Sequence, residues 1–150
     1  LSDSASVRGW MDGLQRDGRY TVPESVLNAL HAEFDAASCT DAEGNERIAD
    51  CFRRFGYLID PHTACGFYAA GKVSLPGPTV IVSTASPFKF ARDVLTALGE
   101  EAAADGFEAL EQLSRRSGLR VPQSLAELRN LPCRFTDAVD PDETGDYILQ

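Results

Sequence analysis

The sequence predicts an α/β chain that is mainly helical, with one clear buried strand at about residues 79–83 and candidate short strands near 19–22 and 57–59. Three observations predict it. Apolar residues recur at helical spacing in about six segments. The run Thr79-Val-Ile-Val-Ser83 is β-branched and apolar on both faces, which suits a strand covered on both sides. Asp-Pro and Ser-Pro pairs mark helix starts, and single glycines mark helix stops.

Each element has its own signal. Val7, Trp10, Met11 and Leu14 line one face of a helix over residues 5–15, with Ser4 or Ser6 as its cap and Asp17-Gly18 as its end. Residues 19–22 then read as a short extended segment. Pro23 fits the first position of a helix carrying Val26, Leu27, Leu30 and Phe34 on one stripe. Thr40 or Asp41 caps a helix with Ile48, Cys51, Phe52 and Phe55 at helical spacing, and Gly56 stops it. Tyr57-Leu-Ile59 is a buried strand or a connection. Asp60 as N-cap with Pro61 at the first position starts the next helix, which Gly71 ends before the turn Pro76-Gly77-Pro78.

After the expected strand, Ser86-Pro87 opens a helix with Phe88, Ala91, Val94, Leu95 and Leu98 facing inward and Gly99 closing it. Phe107, Leu110 and Leu113 mark another helix. Ser124 is expected to cap a last short one carrying Leu125, Leu128 and Leu131. One strand among so many helices does not make an autonomous sheet, so residues 79–83 are expected to pair with strands outside this chain. No internal repeat or low-complexity linker interrupts the sequence.

Composition narrows the function. The 150 residues suit one domain, and 43% hydrophobic with 25% charged residues reads as an ordinary globular protein. A net charge of −9 without a Lys/Arg cluster argues against nucleic-acid binding, which depends on neutralising phosphates. No apolar run approaches a membrane span, and Leu1-Ser-Asp-Ser-Ala-Ser shows no signal-peptide pattern. The missing initiator Met hints at a trimmed chain. The surplus acid over residues 137–146 reads as a solvated tail. Cys39, Cys51, Cys65 and Cys133 include no C-x-x-C pair and no metal-ligand spacing, so no metal site is expected. The apolar neighbours of Cys39, Cys51 and Cys65 suggest reduced, partly buried thiols in a reducing, cytoplasmic compartment.

The residues that could carry chemistry lie in two stretches. Ser83, Thr84 and Ser86 follow the expected strand and precede a helix start, where ligands gather in open α/β sheets. A hydroxyl there can bond an uncharged ring nitrogen without imposing charge. The alternative is that Ser86 merely caps its helix and Thr84 bonds backbone. Asp60 and His62 invite an acid–base reading, against which Asp60 is an N-cap and His62 an exposed first-turn residue. Two residues apart on a helix, they should not share a face. His31 reads as surface, Cys65 as core, and neither Lys72 nor Lys89 sits in an apolar pocket that would activate an amine.

Tyr57-Leu-Ile-Asp-Pro-His-Thr-Ala-Cys-Gly66 followed by Ser83-Thr-Ala-Ser-Pro-Phe-Lys-Phe90 resembles the C-terminal region of threonine synthases, where D-P-H-T-A-x-G precedes S-T-A-H-P-A-K-F. Arg8-Gly-Trp-Met11, Gly18-Arg-Tyr20 and Ile48 with Phe52 extend the likeness over roughly residues 5–100. The resemblance implies the C-terminal part of a fold-type II enzyme that uses pyridoxal 5'-phosphate to convert O-phosphohomoserine and water to threonine and phosphate. It divides the chain into residues 1–100, part of the enzyme domain, and 101–150, a helical extension with an acidic tail.

By motif match, Thr84 is the partner of the cofactor's pyridine nitrogen, with Ser83 as a second candidate. Asp60, His62, Thr63 and Ser86 belong to the active-site rim. Ser86 and Phe88 stand where the family has His and Ala. The Schiff-base lysine and phosphate-binding loop belong to earlier parts of the family's sequence, so this chain alone is expected to be inactive, its partner being the rest of the enzyme. Two other readings stay open: a stand-alone helical interaction or regulatory module, which would sediment as a stable monomer, and a relative acting on another amino acid.

Overall fold

A computed structural model describes residues 3–73 and 76–149. Its elements are α1 (Ser4–Asp17), α2 (Glu24–His31), α3 (Asp41–Phe55), α4 (Pro61–Ala70), a 3-10 turn (Pro87–Phe90) running into α5 (Ala91–Ala97), α6 (Gly106–Ser117), α7 (Gln123–Ala126) with a second 3-10 turn (Glu127–Asn130), and α8 (Thr144–Ile148). The described residues contain no strand. The expected α/β class is therefore corrected to an all-helical one.

The correction has a clear cause at residues 79–83. A strand exists only where a neighbour pairs its N–H and C=O groups, and no described segment lies alongside this one as a ladder. Nor is the run buried on both sides, because Val80 is 84% and Val82 72% exposed. Only Ile81 turns inward, towards α4. A Cβ on Gly66 would lie 3.1 Å from the Ile81 Cγ2 methyl, so the glycine is what lets the segment approach the helix. The two other strand candidates fail likewise. Residues 19–22 are irregular, and residues 57–59 form a connection that buries Leu58 and Ile59.

The core is built by α3 to α6, with α3 packed on α4 and α5, and α5 on α6. Ile48 and Cys51 from α3, Ala64 from α4, Phe88, Ala91, Val94 and Leu95 from the turn and α5, and Ala109 and Leu113 from α6 form one buried cluster with Leu58 and Ile59. The start signal of α3 is honoured, with Thr40 capping it in a reciprocal box with Glu43. Asp105, for which the sequence reading named no role, caps α6. Gly56, Gly99 and Gly118 adopt positive φ where helices end, a conformation that favours glycine.

Elsewhere periodicity misleads. No residue of α1 or α2 is buried, and Val7, Met11, Leu14, Leu27, Leu30 and Phe34 are exposed. Phe55 also points outward. The cap of α1 is Asp3, which accepts from the Ser6 N–H and hydroxyl, rather than either serine. Pro23 occupies the N-cap of α2, one residue before the expected position. Pro122, not Ser124, precedes α7.

Glu43 ties α3 to α4. Its carboxylate accepts from the Thr40 N–H, the Tyr68 hydroxyl of α4 and the Thr40 hydroxyl. Those bonds, in that order, hold its pKa down at about 2 against an ordinary 4.5. A depressed carboxylate contributes stability above its unfolded pKa and loses it on acidification. The stability difference between the parent and Glu43→Gln, measured by urea unfolding, should therefore be constant above about pH 5 and shrink as pH falls from 4.5 towards 2. In the core, Leu95→Ala should cost about 2–5 kcal/mol. Val80→Ser, outside it, should change the stability of this chain by less than about 0.5 kcal/mol in the same assay.

Candidate functional site

Asp60 is fully buried at the junction of the 57–60 connection and α4. Pro61 at the first helical position leaves no N–H there to satisfy, so the carboxylate turns to the next donors. Oδ2 accepts from the His62 N–H at 3.0 Å and Oδ1 from the Thr63 N–H at 3.3 Å. Oδ1 also accepts the Thr63 hydroxyl. Burial pushes the Asp60 carboxyl up, but the bonds from the Thr63 hydroxyl, the His62 amide, the His62 ring and the Thr63 amide outweigh it. The net pKa lies below the ordinary 3.8.

The imidazole joins this set, with His62 Nδ1 lying 3.0 Å from Asp60 Oδ2. Sequence spacing argued against the contact because i and i+2 diverge on a helix. Asp60 is not helical, however. With φ −84° and ψ 165° it is extended, and its side chain folds back over the first turn. A carboxylate can only accept, so Nδ1 carries the hydrogen and a neutral His62 keeps its lone pair on Nε2. The ring is 66% exposed on its side chain and rests against Phe90, with centroids 4.9 Å apart.

Ser83 connects the second stretch to the first. Its Oγ lies 3.1 Å from Thr63 Oγ1. Thr63 has one hydroxyl hydrogen and Asp60 takes it, so the Ser83 hydroxyl donates to Thr63. Asp60, His62, Thr63, Ser83 and Phe90 are thus brought together across both motifs. Thr84 is exposed beside Ser83, and its hydroxyl enters no hydrogen bond among the described residues. Ser86 stands apart as the cap of the 3-10 turn, accepting from the Phe88 N–H at 3.3 Å.

One side chain at the site has no signal in the sequence, and one expectation is overturned. Phe90 follows no motif that marks it as a neighbour of His62, yet its ring packs against the imidazole. Cys65, expected in the core, is exposed, with its Sγ 3.4 Å from that of Cys39. Both cysteines line a cleft of about 370 Å³ with Thr40, Pro61, His62 and Phe90. A larger hollow of about 860 Å³, bounded by Phe88, Arg92, Phe107, Leu125 and Leu128, includes Lys89 but none of the site hydroxyls. Lys72 lies over the Tyr68 ring, with Nζ 5.0 Å from its centroid. Among the described residues, no three His, Cys, Asp or Glu side chains converge to hold a metal ion, and no helix is long and apolar enough to cross a membrane.

Neutral hydroxyls and an oriented imidazole thus gather beside a helix start. Comparison with known proteins identifies the family. A model described as "Threonine synthase, C-terminal" matches residues 63–148, and the chain belongs to that family. Threonine synthase of Pseudomonas aeruginosa is 34% identical over 87 residues, 57% of this chain and 19% of the relative. That of Corynebacterium glutamicum is 30% identical over 153 residues, 98% of this chain and 28% of the relative. A crystal structure of pyridoxal-phosphate-bound threonine synthase from Brucella melitensis is 38% identical, with a TM-score of 0.59 over 73% of this chain and 24% of that one. The chain spans less than a third of the length of these relatives.

Asp60→Ala leaves four donors without their acceptor and should destabilise by about 1–3 kcal/mol at pH 7. Because the folded pKa lies below 3.8, the loss should be full at neutral pH and fade as pH drops below that value. His62→Ala, at an exposed ring, should cost less than about 1 kcal/mol. Urea unfolding across pH checks both.

Proposed function

We propose that this chain forms one side of the cofactor cleft of a pyridoxal 5'-phosphate enzyme, a lyase of the threonine synthase type that converts O-phosphohomoserine and water to threonine and phosphate. The observation that carries the reading is the Thr63–Ser83 hydrogen bond, which draws the two motifs into one place with Thr84 exposed at its edge. The cofactor-bound Brucella neighbour, 38% identical, supports it.

The donors present fit the cofactor. The Thr84 hydroxyl can donate to the pyridine nitrogen, and being neutral it imposes no charge there. Ser83 is committed to Thr63 and braces the backbone next to Thr84. Asp60, His62 and Thr63 form the rim, with Asp60 fixing the His62 tautomer and leaving Nε2 able to accept a proton from substrate or water. Ser86 places a small hydroxyl where the family's imidazole stands. When bound, the cofactor supplies the electron sink for chemistry at the amino acid's carbons.

The Schiff-base lysine and phosphate-binding loop are assigned to the remainder of the parent enzyme, which is this chain's partner in the cytoplasm. The division of the chain near residue 100 rests on the motifs alone, and α6 beyond it packs Ala109 and Leu113 into the common core.

In the full-length parent protein, Thr84→Ala should weaken cofactor binding about tenfold, the equivalent of one lost hydrogen bond. It should also shift the cofactor's absorbance while leaving thermal stability nearly unchanged. Unaltered affinity and spectrum would remove Thr84 from the site. Phosphate release from O-phosphohomoserine tests the substrate, and cofactor binding without it would point to another amino acid. The 150-residue chain alone, treated with pyridoxal phosphate and borohydride, should retain no stoichiometric cofactor on Lys72 or Lys89.

A further inference from the structure

The four cysteines are not equivalent. Cys51 is buried in the core, and Cys133 is exposed with its thiol donating to the Phe135 carbonyl at 3.3 Å. Cys39 and Cys65, 26 positions apart, meet with 3.4 Å between sulfurs in the lining of the cleft that also includes His62 and Phe90. We propose that Cys39 and Cys65 are a redox modification site, a dithiol that closes to an intramolecular disulfide by exchange with a small disulfide of the glutathione class.

The geometry favours closure. A disulfide needs its sulfurs about 2.05 Å apart, so one must move by roughly 1.4 Å. Cys65 is fixed on α4, whereas Cys39 lies in the irregular connection between α2 and α3, where a small backbone adjustment is available. Exposed Cys65 is the group an incoming disulfide can reach. Its thiol loses a proton to water, and the thiolate attacks one sulfur of oxidised glutathione, releasing one glutathione thiolate. The Cys39 thiol then gives up its proton and attacks Cys65 Sγ, displacing the second glutathione. The two cysteines are oxidised by two electrons, and the small disulfide is reduced to two thiols.

Closure ties the residue before the α3 cap Thr40 to the second turn of α4, narrowing the cleft beside His62. The chemistry needs no cofactor, so it stands or falls separately from the function proposed above.

The test uses the intact protein in a Cys133→Ser background. After reduction, the protein is equilibrated with oxidised and reduced glutathione at a series of ratios, quenched with acid and digested without reductant. The expected result is a peptide joining residues 39 and 65, the loss of two alkylatable thiols from those positions, and recovery of both with dithiothreitol. Under the same conditions Cys39→Ser should trap a glutathione adduct on Cys65. A persistent glutathione adduct on Cys65 with Cys39 still alkylatable would overturn the proposal. So would both thiols remaining reduced at the most oxidising ratio.

Discussion

The buried carboxylate of Asp60 is the constraint on which the site depends. A charge with no exposed surface is tolerable only where donors surround it. Here the donors are two amides at the start of α4, the Thr63 hydroxyl and the His62 ring. Meeting that requirement fixes the entry angle of α4, the tautomer of His62 and the direction of the Thr63 hydroxyl. The last of these then recruits Ser83 from a segment twenty residues away. Remove the charge and the chain loses a helix cap and the acceptor that orients the Thr63 hydroxyl.

This arrangement separates stability from chemistry in a useful way. Asp60 and Thr63 are buried, while the far side of His62 and Thr84 are exposed. A site built so can present neutral polar groups to a ligand without weakening its own scaffold. On the proposed reading the ligand's remaining partners come from the rest of the enzyme. The exposed apolar side chains of α1, α2 and residues 80 and 82 fall on the same side of that division, because none contributes to the core formed by α3 to α6.

The parts of the fold legible in the sequence were those decided locally. Thr40 with Glu43, Asp60 before Pro61, and the glycines after α3, α5 and α6 act within one turn of chain, so residue identity suffices to place them. The core positions of α3 and α5 were legible too, since their apolar stripe is the face that another helix covers. The same stripe on α1 and α2 carried no such information. Periodicity says which residues share a face, but not that anything lies against it.

By itself the sequence determined the starts of α3, α4 and the 3-10 turn before α5, and the family, all of which follow from short motifs. Only the tertiary structure decided that residues 79–83 are no strand in this chain, that Cys65 is exposed beside Cys39, and that Asp60, Thr63 and Ser83 form one network. The physical reason is the same in each case. A strand, a thiol pair and a buried charge are all defined by groups distant in sequence, and their partners are chosen by packing rather than by neighbouring residues.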